Sequence, residues 1–437
     1  MNLGPASSSV AGPVFAPLMR RAFYHARIIG NLALVQAVVQ IFGFLSGILV
    51  IRSLSQQEYA YFTIANTMQG TLNLLADIGI SVGVVSIGGR VWQDRHRFGQ
   101  LINTGLQLRK QLALLACLFV VPVLYLLLAR NGTGFGYRWI LVALVVGGLL
   151  PQLSSGILSV VPRLRSDIGR IQVIDFSTAA LRLLGLIAFL WLLNAATAIA
   201  IAMVTFFVQY LMLRHYVAGV VDLHASADAE DREVIVRFIR KLAPNAVFYC
   251  FQGQITVFLI SIFAHRVSSV AEVGALGRLA MIFAVLSNLL ANVFIPAFVR
   301  CHDSRKLRLL YAGVVGGVTI FGIFVIALAA FFPAQFLFVL GNRYTHLGAE
   351  LLLMVSAAVL SSLAGAIWGL NSAKGWISGS WLYIPSTLLT QIALIPFTNF
   401  TTVSGVLWFN LISTLPSVLL NLGLSYRGFR SQHTAVA

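Results

Sequence analysis

The chain has 437 residues, of which 59% are apolar and only 10% charged, with a mean hydropathy of +0.89. A soluble globular chain carries about 25% charged residues, so an ordinary soluble enzyme and a disordered protein are both excluded. Against that apolar background stands a net charge of +17, from 30 Lys and Arg against 13 Asp and Glu. In a soluble protein this would point to nucleic acid; in a membrane protein it points to orientation by positive cytoplasmic loops or to an anionic substrate.

A helix needs about 20 apolar residues to cross a bilayer. Twelve such stretches run near 30–50, 60–84, 111–129, 139–161, 171–192, 195–213, 244–264, 274–297, 309–332, 348–370, 378–397 and 403–424. Residues 1–29 precede them as a cytoplasmic tail. Its first part is rich in Ser, Gly, Ala and Pro, and Arg20, Arg21 and Arg27 come just before the first span. No long apolar core precedes those arginines, so no cleavable signal is expected. Spans 1–6 form an N-lobe over 30–213, residues 214–243 a cytoplasmic linker, spans 7–12 a C-lobe over 244–424, and 425–437 a cytoplasmic tail.

With the N-terminus placed in the cytoplasm, twenty-three of the thirty basic residues fall in cytoplasmic segments, among them Arg90, Arg95, Arg97, Arg109 and Lys110 between spans 2 and 3. Five fall in outer loops, namely Arg52, Arg130, Arg138, Arg266 and Arg343, and Arg182 and Arg278 lie inside spans. The asymmetry orients both termini inward, in a multi-pass membrane protein. A reporter fused after Gly132 is expected to read as external; a cytoplasmic reading inverts the topology. Cys117, Cys250 and Cys301 lie in two spans and a cytoplasmic loop, which implies no disulfide framework.

An internal repeat is visible. Arg52 and Arg266 are 214 residues apart, as are Glu58 and Glu272, and Ser55 falls on Ser269. Each segment is a short outer loop leading into a span. Six spans per half bring both halves in from the same side, which makes the repeats parallel. The fold class is therefore all-α and polytopic, with about twelve transmembrane helices in two six-helix lobes. In the linker, Val234, Ile235, Phe238 and Ile239 form an apolar face between Asp228, Glu230, Asp231, Glu233 and Arg237, Arg240, Lys241. That pattern predicts an amphipathic helix on the inner membrane surface, with the solvated linker helix as its alternative; residues 90–110 read the same way.

The motifs of nucleotide, zinc and dithiol chemistry are missing. The chain has no G-x-x-x-x-G-K-[ST], H-E-x-x-H or C-x-x-C, so no cofactor or metal is expected and no nucleic acid is implied. Glu58 and Glu272 sit at span starts, where a carboxylate suits a helix N-terminus. The spans instead carry polar stripes. Asn66, Gln69, Asn73 and Asp77 share one face of span 2. Gln36 and Gln40 are four apart in span 1, Asn288 and Asn292 in span 8, and Asn410, Ser413, Ser417 and Asn421 repeat the pattern in span 12. Polar groups facing lipid are costly, so these stripes face the bundle interior, as a wet path or as interhelical glue. Arg182 lies deep in span 5, where an arginine costs at least about 2.5–3.5 kcal/mol on insertion scales. It is either half of a buried ion pair with Asp77 or Asp175, or a cationic site for an anionic headgroup, whose phosphate a guanidinium fork matches. Arg278 lies nearer the outer end of span 8, lining the same path or reaching out to the interface.

The run Arg52-Ser53-Leu54-Ser55-Gln56-Gln57-Glu58-Tyr59-Ala60-Tyr61-Phe62, followed by Leu75-Ala76-Asp77-Ile78-Gly79-Ile80-Ser81, resembles the start of polysaccharide transporters of the multidrug/oligosaccharidyl-lipid/polysaccharide (MOP) flippase superfamily. Arg165-Ser166-Asp167-Ile168-Gly169-Arg170 entering span 5 resembles them too, as do Leu340-Gly341-Asn342-Arg343-Tyr344 and Asn371-Ser372-Ala373-Lys374-Gly375 in the second half. In pattern the chain is most similar to O-antigen and exopolysaccharide flippases. The resemblance implies two six-helix lobes in a V around a central cavity, and alternating access driven by an ion gradient. It implies an oligosaccharide on undecaprenyl pyrophosphate as substrate, with membrane lipid and other polysaccharide-assembly proteins as partners. Arg182 and Arg278 are the pyrophosphate candidates, the Asn and Gln stripes the sugar contacts, and Asp77 or Asp175 the coupling carboxylate. A cation-coupled multidrug exporter of the same superfamily is the first alternative; a polysaccharide polymerase or acyltransferase, lacking a catalytic loop, is the second.

Overall fold

The structure is a computed structural model that describes residues 35–434, apart from 166, 265, 281, 282, 284, 285, 288, 289, 291–293 and 302. The candidate residues Asn288 and Asn292 lie outside the described residues. Among those described there is no strand. The first half comprises α1 (Val35–Ser53), α2 (Gln56–Asp77), α3 (Ile80–Val91), α4 (Arg95–Arg130), α5 (Phe135–Leu158), α6 (Val160–Leu164), α7 (Ile168–Ala188) and α8 (Ala195–Val220). The second comprises α9 (Ala229–Phe263), α10 (Val267–Leu279), α11 (Ile295–Arg300), α12 (Ser304–Phe331), α13 (Pro333–Leu340), α14 (Gly348–Ala373), α15 (Tyr383–Leu394) and α16 (Val403–Thr434). Nine helices among the described residues are long and apolar enough to span a membrane. The pair α2 and α3, bent by 45°, makes a tenth. The bend falls at Gly79, whose positive φ of 72° L side chains rarely adopt. The predicted span 378–397 is shorter than expected: α15 has 12 residues, held between 3-10 turns at Ser380–Leu382 and Ile395–Phe397. The predicted span 274–297 includes nine residues outside the described set.

The helices assemble as two lobes. In one, α5 packs on α8, α2 on α4 and α5, and α7 on α8; in the other, α14 packs on α16 and α12, and α15 on α16. The two lobes repeat at the level of single caps. Asp94 accepts hydrogen bonds from the backbone N–H of His96 and Arg97 at the start of α4. Asp303 does the same for Arg305 and Lys306 at the start of α12. Those backbone donors hold the Asp303 carboxyl below the usual carboxylate range. At the opposite end Ser55, not Glu58, caps α2. Glu58 instead accepts from the backbone N–H of Ala195 at 2.8 Å and from the Tyr137 hydroxyl at 2.7 Å, so its charge serves the N-terminus of α8.

The segments predicted to be cytoplasmic depart from the expected surface helices. Nothing in residues 95–110 breaks a helix, and α4 runs unbroken from Arg95 into the membrane. The linker helix likewise begins at Ala229 and continues through Pro244 to Phe263. Its apolar face is spent on protein: Ile235 is fully buried and its side chain abuts Gly83.

How the lobes meet follows from the cores. The face bearing Arg52, Glu58 and Arg343 is called outer here, following the charge asymmetry. In the outer half one continuous apolar core joins Tyr59, Phe62 and Met68 of α2 to Val270, Ala271 and Leu276 of α10. In the inner half there are two separate cores, one around Phe98, Ile102 and Val217 and one around Phe298, Val318 and Leu370. The lobes thus share one core at the outer end and have separate cores at the other. The outer contact is close: a Cβ on Gly274 would stand 2.4 Å from the Thr63 hydroxyl oxygen.

Candidate functional site

The seam between α1, α2, α7 and α10 gathers the two arginines singled out from the sequence. Arg278 lies against Gly47 of α1, its Cδ 3.6 Å from where a Cβ would be. Its guanidinium stands 5.9 Å from the centroid of the Phe62 ring, a cation–π distance, and reaches the Tyr59 hydroxyl. Arg182 of α7 is within electrostatic range of Arg278 and of no opposite charge. Among the described residues Arg182 makes no salt bridge and no hydrogen bond. Two like charges held together in an apolar seam repel each other, and no opposite charge among the described residues offsets them.

Neither predicted carboxylate partner is available to Arg182. Asp77 pairs with Arg109, whose Nη2 is 3.5 Å from Asp77 Oδ1, and accepts from the Ser81 hydroxyl at 2.6 Å. Asp175 faces Arg163. Arg109, assigned from hydropathy to a cytoplasmic loop, is in fact 4% exposed inside α4. Its Nη2 also donates to Asn73, while its Nε and Nη1 have no hydrogen-bond partner among the described residues. The flanking Lys110 hid it: the hydropathy window opens only after that pair. The guanidinium lies on Gly156, where a Cβ would be 2.2 Å from Nη1. Gly156→Ala is expected to push it off Asp77 and cost about 1–3 kcal/mol, measured as a drop in melting temperature of the purified protein.

The polar stripes divide into two sets. Gln69 donates to Gln152, Asn73 accepts from Arg109, and the main-chain carbonyl of Asn421 accepts from the Asn371 side chain, which in turn accepts from Ser425. These tie helices within one lobe. Gln36, Gln40, Asn66 and Asn410 have no side-chain hydrogen bond among the described residues, and Gln36 and Asn66 are exposed. On the inner side, a cavity of ≈ 270 Å³ opens between Gly79 of one lobe and Trp368 and Ser380 of the other, with Asn245 and Tyr249 on its wall. Among the described residues no three His, Cys, Asp or Glu side chains stand together as metal ligands.

The outer ends of the lobes are fastened by arginines that sequence reading left as loop charges. Arg52 donates from Nε to the Val339 carbonyl at 3.0 Å and from Nη2 to the Phe338 carbonyl. Arg343 returns the contact, donating from Nη1 to the Leu54 carbonyl. The acceptors are backbone carbonyls, so no complementary residue marks the contact in sequence.

No family model and no curated protein sequence matches the chain. Solved structures match in fold. The inward-facing form of a multidrug resistance MATE family transporter of the MOP superfamily superposes with a TM-score of 0.61 at 14% identity, over 90% of this chain and 98% of that one. An outward-facing form gives 0.58 at 17%, over 92% and 94%. A MOP superfamily transporter from Pyrococcus furiosus, described by a binding pocket of reverse polarity suggesting a different function, gives 0.56 at 15%, over 92% and 94%. The chain has the two-lobed fold of these transporters. The scores for the inward- and outward-facing forms are nearly equal, so the likeness carries the fold alone.

Proposed function

We propose that the chain is an alternating-access transporter that moves a lipid-linked oligosaccharide, carried on a polyprenyl pyrophosphate, across the bacterial inner membrane. The observation that supports this is the Arg182–Arg278 pair, cationic and without a carboxylate among the described residues. Guanidinium forks suit pyrophosphate because each makes two parallel charge-assisted hydrogen bonds. The unpartnered amides of Gln36, Gln40, Asn66 and Asn410 suit sugar hydroxyls, and the polyprenyl tail stays in lipid. The Asp77–Arg109 pair beside the α2–α3 bend is the candidate for ion coupling, since protonating Asp77 would free a buried arginine. Membrane lipid and other polysaccharide-assembly proteins are the partners this role entails. The resemblance of the Arg52–Phe62 and Leu75–Ser81 runs to polysaccharide transporters supports the same reading.

A second reading, a cation-coupled multidrug exporter, is supported by the solved neighbours described as multidrug resistance transporters. It requires free carboxylates in the path for cationic drugs; Asp77 is engaged by Arg109, which leaves Asp175. The Pyrococcus furiosus neighbour supports the view that this fold serves pockets of more than one polarity. Purified protein in vesicles decides between them. Transfer of a fluorescent undecaprenyl-pyrophosphate oligosaccharide, without gradient-driven movement of ethidium, is the expected result. Ethidium transport alone would overturn it.

A further inference from the structure

Five basic residues stand on the outer face against the trend of the other loops, and the structure gives two of them a shared place. Arg52 from one lobe and Arg343 from the other line a single cavity of ≈ 310 Å³ at the outer seam, together with Asn342, Gly341, Phe338 and Tyr344. Each arginine spends part of its fork on carbonyls across the seam. The remainder is unspent: Arg52 Nη1, Arg343 Nε and Nη2, and the Asn342 amide have no acceptor among the described residues. No Asp or Glu lines the cavity. Glu272, the nearby outer carboxylate, is turned to His346 at 3.5 Å. Two guanidiniums facing one cavity without a counter-ion repel each other across the seam that their carbonyl bonds hold together.

We propose that this cavity is an outer anion site for a phosphate group, and that an anion bound there, bridging Arg52 and Arg343, holds the outer gate shut. The bridge needs no carbonyl bond broken, because the free donors come from both lobes. Charge-assisted bonds to phosphate are roughly twice as strong as those to neutral acceptors, so the anion adds a stronger tie to the existing clasp. This goes beyond the substrate reading and stands without it, since it concerns a separate pair of arginines on the outer surface. The phosphate can come from an outer-leaflet lipid headgroup or from solution.

The test reads opening from outside. Cys117, Cys250 and Cys301 are replaced, and Asn66→Cys, exposed on α2, reports the rate of labelling by a membrane-impermeant thiol reagent added outside. Inorganic pyrophosphate at matched ionic strength is expected to slow labelling at least threefold relative to chloride. Arg52→Ala and Arg343→Ala are expected to label faster than their parent and to lose the response, while Arg138→Ala, stacked elsewhere on Tyr125 and Phe135, keeps it. Arg182→Ala also keeps the response if the outer site is the one occupied. Its loss in Arg182→Ala, an unchanged rate, or faster labelling with pyrophosphate would each overturn the proposal. Comparing phosphatidylglycerol with phosphatidylcholine vesicles, without pyrophosphate, assigns the source: slowing in the former identifies a lipid headgroup, and slowing only by the soluble anion identifies a free one.

Discussion

Alanine at position 182 is expected to reduce transport about 100-fold while leaving the protein folded. The estimate follows from what Arg182 lacks. It makes no ion pair among the described residues and its charged neighbour is Arg278, so removing it strands no buried carboxylate and relieves a like-charge contact. What is lost is the pair of bonds its fork offers an anion. Each charged hydrogen bond contributes about 1.5–3 kcal/mol, and two at the low end come to about 3 kcal/mol, roughly two orders of magnitude in affinity. Lysine at 182 keeps the charge without the fork and is expected to recover part of the rate. Arg109→Ala makes the contrast, because it leaves Asp77 without its cation and should lower the melting temperature first. The measurement is initial transport rate beside melting temperature for the three variants. Wild-type transport in Arg182→Ala would remove the residue from the path.

The two lobes were legible because membrane spans are written in long apolar runs, and ten of the twelve predicted spans match helices among the described residues that are long enough to span, α2 and α3 counted as one; α15 is too short to count by length. The deep arginine was legible because a charge inside such a run is costly. Other features escaped for physical reasons. Arg109 sits where the helix is already buried but the local sequence is still polar, so hydropathy placed it outside. Glu58 was readable as a capping carboxylate, yet the helix it caps begins 137 residues away, a partner only the packing of α2, α5 and α8 supplies. The clasp of Arg52 and Arg343 was invisible because its acceptors are main-chain carbonyls. For the stripes, helical periodicity says that Gln69, Asn73 and Asn421 face inward, but whether inward means a cavity or a neighbouring helix depends on tertiary contacts.

Removing Asp231 is the second large effect expected, and it concerns how the C-lobe is tethered rather than what the path binds. Arg97 of α4 engages both carboxylate oxygens of Asp231, with Nη2 at 2.7 Å from Oδ1, and lies 3.8 Å from Asp228. Asp231 is 3% exposed. Around this pair the linker is strapped down by Asn103, which donates to the carbonyls of Leu223 and Ala225, and by Thr104, which accepts from Asp228 N–H. Losing one partner of a buried pair costs about 3–5 kcal/mol; Arg97 keeps some access to water and to Asp228, which reduces the expected cost of Asp231→Ala to about 2–3 kcal/mol. Because α9 runs unbroken from this anchor into the C-lobe, the same change should loosen the inner ends of the lobes and raise their distance spread between spin labels. A double substitution, Arg97→Met with Asp231→Leu, is expected to restore most of the melting temperature, since matched apolar groups replace a buried pair at little cost. If the double variant melts as low as Asp231→Ala, the strap depends on its charges; if it recovers stability but not transport, the ion pair serves the movement of the lobes and not their folding.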